Sequence, residues 1–392
     1  MNVSGGSVTI RLLICAKYAF GKEFVLLLSL MIFAFLASLT VCGLCIRQTR
    51  NWGVDTVQAG PQKFHVRPTP RIAGLGLLTG MFAAAIVLRM SDGTLEAKKL
   101  VLLIVAGLPV FLAGFAEDCT RKVSPKWRLI AAFLSALVAA GLLGGVLTRY
   151  GLPVLDSLVA NNKTFALLLT VFAIGGVCHA FNIIDGYNGV LGGSALFVAA
   201  ALAYVAYKTG QQGVLVASVA LMGSLLGFLV WNFPAGLLFA GDGGAYLVGF
   251  LLAEMSVLLV EGGRGAVSPW FPMLLMIYPV FETLFSIYRK KHLRKMSPGV
   301  PDGLHFHMLV YKRLVRWMVG SDDVAAKIRR NSLTAPYLWA VTLSAVLPAL
   351  LFWQSERLLQ GACLAFVLFY LWTYTRIVRF RVLRWWVLRK RG

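Results

Sequence analysis

Charge is scarce in this chain, and acidic charge is scarcest. Only 14% of the 392 residues are charged, and 16 Asp and Glu stand against 38 Lys and Arg. So sparse a supply cannot cover a soluble fold of this length, and the mean hydropathy of +0.76 agrees. Cysteine chemistry is also thin. Cys42 and Cys45 form the only CxxC pair. With no second pair to complete a zinc site, no βαβ pattern around it and no disulfide framework, the six cysteines point to neither a zinc module nor a redox domain. The first twenty or so residues lack a clean signal-peptide cleavage site. No internal repeat is visible, which weighs against a transporter built from paired halves.

What is present is a series of apolar runs, each long enough to span a bilayer as a helix. They fall near 24–45, 73–89, 99–116, 129–147, 164–181, 191–208, 213–232, 244–261, 267–287, 336–353 and 359–376. The fold class expected is an all-α polytopic integral membrane protein with about eleven transmembrane helices. Residues 1–23 read as an amphipathic lead-in, 24–377 as the membrane domain, 288–334 as a long basic loop and 378–392 as a basic interfacial tail. The loop's best helix candidate lies around 308–330.

In a soluble chain a net charge of +22 would suggest nucleic acid. In a polytopic chain the positive-inside bias accounts for it, and no nucleic acid is called for. Most of the 38 Lys and Arg fall together if the N-terminus is external and the C-terminus cytoplasmic. Every polar motif below then lies on the cytoplasmic face.

The motifs centre on Asn182-Ile183-Ile184-Asp185-Gly186-Tyr187-Asn188-Gly189-Val190-Leu191-Gly192-Gly193, between two apolar runs. Its glycines let backbone approach a ligand, Asp185 adds a carboxylate, and Asn182 and Asn188 add amides. On its own it reads equally as a tight interhelical turn. Upstream, His65-Val66-Arg67-Pro68-Thr69-Pro70-Arg71 holds Arg67 and Arg71 in a proline-stiffened segment suited to an anion. Glu117 and Asp118 end the third span, and Lys122, Ser124, Lys126 and Arg128 follow. Ser124 and Pro125 suit the N-cap and first position of a helix. Carboxylates alternating with basic groups match the needs of a divalent cation beside a diphosphate. Gly241-Asp242-Gly243-Gly244 places another carboxylate among apolar residues. Pro301-Asp302-Gly303-Leu304-His305-Phe306-His307 carries two of only five histidines, which would share a face of extended chain. They suit phosphate or sugar contact better than zinc, because no cysteine accompanies them.

In this order the motifs resemble the polyprenyl-phosphate N-acetylhexosamine-1-phosphate transferases (glycosyltransferase family 4), and in particular the undecaprenyl-phosphate N-acetylglucosaminyl-1-phosphate transferases. The resemblance covers His65 to Arg71, the acidic pair Glu117-Asp118, Ser124-Lys126-Arg128, Asn182-Asp185-Gly186, Gly241-Asp242-Gly244, and Pro301-Asp302 with His305 and His307. It implies a bacterial inner-membrane enzyme with a cytoplasmic site. Such an enzyme passes N-acetylhexosamine 1-phosphate, by default GlcNAc 1-phosphate, from a UDP-sugar to undecaprenyl phosphate. UMP is released and a surface polysaccharide such as O-antigen is begun.

The resemblance also implies Mg²⁺, or Mn²⁺ in its place, on Asp242 and Asp118, and a catalytic set of Asp118, Asp185, Glu117, His305 and His307. The implied substrate-binding residues are Arg67, Arg71, Lys122, Lys126, Arg128, Asn182 and Asn188. Membrane lipids are partners, and a homodimer stays open, as does the choice between direct attack and a covalent intermediate. Three residues depart from the family pattern: Glu117 stands for an Asp, Asn188 for an Asp, and Met308 for a His. With Phe306 and Leu309, Met308 can line a less polar wall for a further-modified sugar. The alternatives are a non-catalytic membrane scaffold and a cation-coupled transporter, although the key carboxylates lie at span ends rather than within spans.

Overall fold

The structure, a computed structural model, describes residues 5–48, 54–55, 68–296, 303–315 and 324–380. His65, Arg67, Pro301, Asp302 and the expected interfacial tail beyond 380 lie outside the described residues.

The described chain is almost entirely helical. Its helices are α1 (Gly5–Gln48), α2 (Gly74–Met90), α3 (Thr94–Thr120), α4 (Pro125–Leu143), α5 (Pro153–Asn161), α6 (Lys163–Ile184) and α7 (Val190–Lys208). They continue as α8 (Gln212–Asn232), α9 (Gly241–Gly262), α10 (Trp270–Leu275), α11 (Ile277–Tyr288), α12 (Phe306–Leu309), α13 (Val324–Phe352) and α14 (Glu356–Val378). Among the described residues, nine helices are long and apolar enough to cross a membrane. The two remaining expected spans are the shorter α2 and the pair α10–α11. That pair is interrupted at Met276, where Pro279, lacking an N–H, cannot continue the hydrogen-bond ladder from Leu275. The chain is thus an all-α protein of multiple long apolar helices, as a polytopic membrane protein requires.

Local sequence accounts for several helix ends. Pro125 opens α4 at its first turn after an extended Ser124, whose side chain makes no capping bond. Asn162 begins α6 by accepting the Phe165 N–H at 3.0 Å. Gly144 ends α4 in the left-handed conformation. Two ends differ from expectation. The lead-in is continuous with the first long helix, since α1 starts at Gly5. Within 288–334 helix is present at both ends, because a π-helical turn (Arg289–Leu293) extends α11 and α13 already begins at Val324. The 308–330 candidate is split. Its first part is α12 with the π-helical Val310–Val315, and residues 316–323 are outside the described set.

The bundle is organised around α9, which is buried along nearly its whole length, whereas α1 turns Phe24, Ile32 and Phe33 outward. Apolar side chains on the outside and close packing within are what a lipid solvent selects. Small residues bring backbones together around the start of α9. A Cβ on Gly114 of α3 would lie 2.6 Å from the Gly243 nitrogen, and one on Gly74 of α2 would lie 2.6 Å from that of Gly244. A short extended segment completes the frame. Thr69–Pro70 pairs antiparallel with Val54–Asp55, and on its other side Phe239 N–H donates to Pro70 O at 2.9 Å. The proline-stiffened loop is thereby laid against the entry to α9.

Candidate functional site

The end of α3, the starts of α4 and α9, the end of α6 and the Thr69–Arg71 segment meet at one end of the bundle. At their meeting point lies Asp242, in the first turn of α9 and almost fully buried. Its Oδ1 accepts Asn182 Nδ2 at 3.1 Å and Arg71 Nη2 at 3.3 Å. Its Oδ2 is paired with the Arg128 guanidinium, which also lies 5.9 Å from the Tyr246 ring centroid. Three motifs separated by long stretches of sequence therefore converge on the carboxylate of a fourth.

Asp118 and Asp185 address the backbone beneath it. The two oxygens of Asp118 accept the N–H groups of Asp242 at 2.8 Å and Gly243 at 2.9 Å. The Gly241 N–H lies on the Asp185 carboxylate. Asp118, from the end of α3, thus satisfies two of the N–H groups that every helix start leaves unpaired, and the Asp185 carboxylate lies close to a third. Burial pushes the Asp185 carboxyl up to about 7, against the lowering by Arg71 and the Gly241 N–H. Gly241 is required twice over. Its φ is +69°, and a Cβ there would overlap the Arg71 carbonyl oxygen and crowd the Asp118 carboxylate.

The other predicted residues divide by position. Glu117 turns away from Asp242 and accepts the Val123 N–H at 2.7 Å, closing the α3–α4 turn, where Arg121 sits in the left-handed region. Lys122 and Lys126 are exposed on that turn. Asn188 is buried and committed to packing. Its N–H donates to Asn331 Oδ1 at 2.8 Å, and its amide donates to Pro234 O at 2.8 Å. The central stretch is further pinned by Gly189 N–H to Asn232 Oδ1 at 2.6 Å and by Trp339 Nε1 to Gly189 O at 2.9 Å.

His305 is the extended residue just before α12 and His307 lies in its first turn, and their rings stack in parallel at 5.3 Å. His307 meets Tyr187 edge-on at 5.6 Å, and its Nε2 would be 3.6 Å from a Cβ on Gly186. Burial and the neighbouring His305 push the His307 imidazole down to about 3, so it is neutral. Phe306, Met308 and Leu309 are buried, with the Phe306 ring against Tyr370 at 5.0 Å.

Sequence reasoning passed over Glu282 of α11. It is wholly buried and bonded to His305 Nδ1 at 2.8 Å, to the Phe306 N–H at 3.1 Å and to the Tyr370 hydroxyl. A carboxylate inside an apolar run was the available signal. Glu254, deep in α9, is also fully buried, and neither oxygen has a hydrogen-bond partner among the described residues.

No group of three or more His, Cys, Asp or Glu side chains poised around a metal occurs among the described residues. A hard cation that takes one or two carboxylate oxygens and keeps several waters needs no such group. Asp242, whose Oδ2 is ion-paired with Arg128, and Asp118, whose oxygens accept the α9 N–H groups, supply hard carboxylate oxygens of the kind such an ion takes.

Residues 100–260, which hold the α3–α4 turn, the central stretch and Asp242, match glycosyl transferase family 4. The probable undecaprenyl-phosphate N-acetylglucosaminyl 1-phosphate transferase of Bacillus subtilis is 26% identical over 250 residues, 64% of this chain and 68% of that protein. The phospho-N-acetylmuramoyl-pentapeptide-transferase of Bacillus velezensis is 29% identical over 304 residues, 73% of this chain and 89% of its own. The undecaprenyl-phosphate alpha-N-acetylglucosaminyl 1-phosphate transferase of Yersinia pestis is 26% identical over 260 residues, 64% and 68% of the two chains. The chain therefore carries a glycosyltransferase family 4 domain that resembles the undecaprenyl-phosphate GlcNAc-1-phosphate transferases.

Proposed function

We propose that the protein transfers N-acetylhexosamine 1-phosphate, by default GlcNAc 1-phosphate, from a UDP-sugar to undecaprenyl phosphate. The reaction releases UMP on the cytoplasmic face of a bacterial inner membrane and initiates a surface polysaccharide. The observation that carries this reading is the convergence of Arg71, Arg128 and Asn182 on Asp242, above a helix start held by Asp118.

The chemistry asks for such a place. A donor diphosphate and an acceptor phosphate repel each other, and their transfer is governed by positioning and charge neutralisation. Arg71 and Arg128 are the groups for the phosphate oxygens, and Lys122 and Lys126 widen the basic rim. Asp242, with Asp118 beside it, would hold Mg²⁺, which when bound neutralises the phosphate charge that builds up in transfer. Asn182 fixes the Asp242 carboxylate. His305 and His307 are buried beside the central stretch, His307 against Tyr187 and Gly186. The acceptor's hydrocarbon tail remains in the bilayer, so a site at a bundle end keeps head and tail each in its own solvent.

Detergent-purified protein with undecaprenyl phosphate, Mg²⁺ and a panel of UDP-sugars tests the reading. We expect UMP release that requires the lipid phosphate and favours a UDP-N-acetylhexosamine. A folded protein that releases no UMP from any donor would leave the scaffold reading in its place.

A further inference from the structure

We propose that Glu282 is a positioning residue of this site. From α11, outside the polar motifs, its carboxylate sets the tautomer of His305 and so the lie of the stacked His305–His307 pair against the central stretch. The inference rests on the transfer reaction proposed above for its kinetic readout only.

The proton positions follow from the hydrogen bonds once the carboxylate is ionised. The Phe306 N–H can only donate, and it does so to Glu282 Oε2 at 3.1 Å. The Tyr370 hydroxyl donates to the same oxygen, and His305 Nδ1 faces Oε1 at 2.8 Å. An ionised carboxylate offers acceptor sites only, so with Glu282 ionised as the partner of His305, Nδ1 of His305 carries a proton. Nε2 is then the nitrogen left for a ligand, the arrangement in which an acidic partner orients a working imidazole.

The orientation propagates. The His305 ring lies parallel to that of His307, with 4° between the planes, and His307 abuts Tyr187 and Gly186. α11, α12 and α14 therefore jointly determine what the Asn182–Gly193 stretch faces. Desolvating a carboxylate this completely is costly and is offset by the three hydrogen bonds. Fixing Phe306 and Tyr370 alone would need only one of its oxygens, and the other is spent on His305.

Glu282→Gln gives a specific outcome. The Phe306 N–H cannot reverse its role, so the amide oxygen must take the Oε2 place and the amide NH2 must face His305 Nδ1. The imidazole can reverse its role, and its proton should move to Nε2. Nitrogen-15 spectra of the histidine-labelled full chain report this directly, because there are only five histidines. We expect wild-type His305 to be protonated at Nδ1, and Glu282→Gln to shift the proton to Nε2 with the thermal midpoint held. We expect kcat for UMP release to fall about 10–100-fold with KM little changed. In a His305→Ala background Glu282→Gln should add no further loss.

A wild-type His305 without a proton on Nδ1, or an equal loss from Glu282→Gln in both backgrounds, would overturn the proposal, since a purely structural carboxylate acts whether or not His305 is there. Should Glu282→Gln not fold, Glu282→Asp keeps both acceptor oxygens and withdraws them by one methylene. A smaller kcat loss with Nδ1 still protonated supports the proposal, and wild-type kinetics overturn it. If wild-type protein releases no UMP from any donor, the function reading falls, and the spectra alone decide the role of Glu282.

Discussion

Asp118→Asn separates two roles that one residue can combine. In the structure both oxygens accept backbone N–H groups of α9, from Asp242 at 2.8 Å and Gly243 at 2.9 Å. Asparagine keeps the shape but turns one oxygen into an NH2 that faces a backbone donor. One buried N–H is left unsatisfied, at roughly 1–3 kcal/mol. The negative charge at the helix start disappears as well, worth about 0.3–1 kcal/mol and up to about 2 where partly buried. Together the substitution should destabilise the fold by about 2–4 kcal/mol and loosen the turn that carries Asp242. The assay is thermal unfolding of detergent-purified wild type and variant, followed by UMP release on the folded fraction. We expect a clearly lowered midpoint and little turnover. A midpoint equal to wild type would refute the reasoning, because it would show that the α9 N–H groups do not depend on this carboxylate.

Asp242→Asn makes the contrast. Asparagine can still accept from Asn182, so the protein should fold, while turnover falls at least about 1000-fold, near 4 kcal/mol of barrier. Near-normal UMP release from the folded variant would remove Asp242 from the centre of the site. Glu117→Asp should retain turnover and lose about 1 kcal/mol of stability, because the shorter arm no longer reaches the Val123 N–H. Unchanged unfolding would contradict that account. For topology, cysteines introduced at Leu155 and Arg264 should react with an impermeant reagent in intact cells, and those at Lys122 and Gly303 should not. External labelling at Gly303 would sink the cytoplasmic placement of the motifs.

Much of this protein was legible in one dimension. Bilayer thickness demands long apolar runs, so positions such as 191–208 and 213–232 reappear as Val190–Lys208 and Gln212–Asn232. Pro125 announces a helix start, and the Pro68–Pro70 segment announces extended chain, because proline fixes φ wherever it stands. The Asp242 motif was visible for a similar reason, since a carboxylate among glycines and apolar residues is costly without a purpose. Tertiary structure decided what those carboxylates touch. Glu117 and Asp118 are neighbours in sequence, yet one closes a turn on Val123 and the other holds the start of α9. Successive helix residues point about 100° apart, so adjacency cannot say which of the two faces the bundle. Asn188 reads as a ligand group but is consumed by Asn331 and Pro234, long-range partners that only packing brings near. Glu282 stands alone as a charge in its apolar run and went unread there, because its meaning comes from His305, Phe306 and Tyr370, distant in sequence. Runs and breakers act locally and are written in composition and spacing. A hydrogen bond between distant segments depends on how close their backbones come, and here that distance was set by glycine contacts such as Gly114 against Gly243.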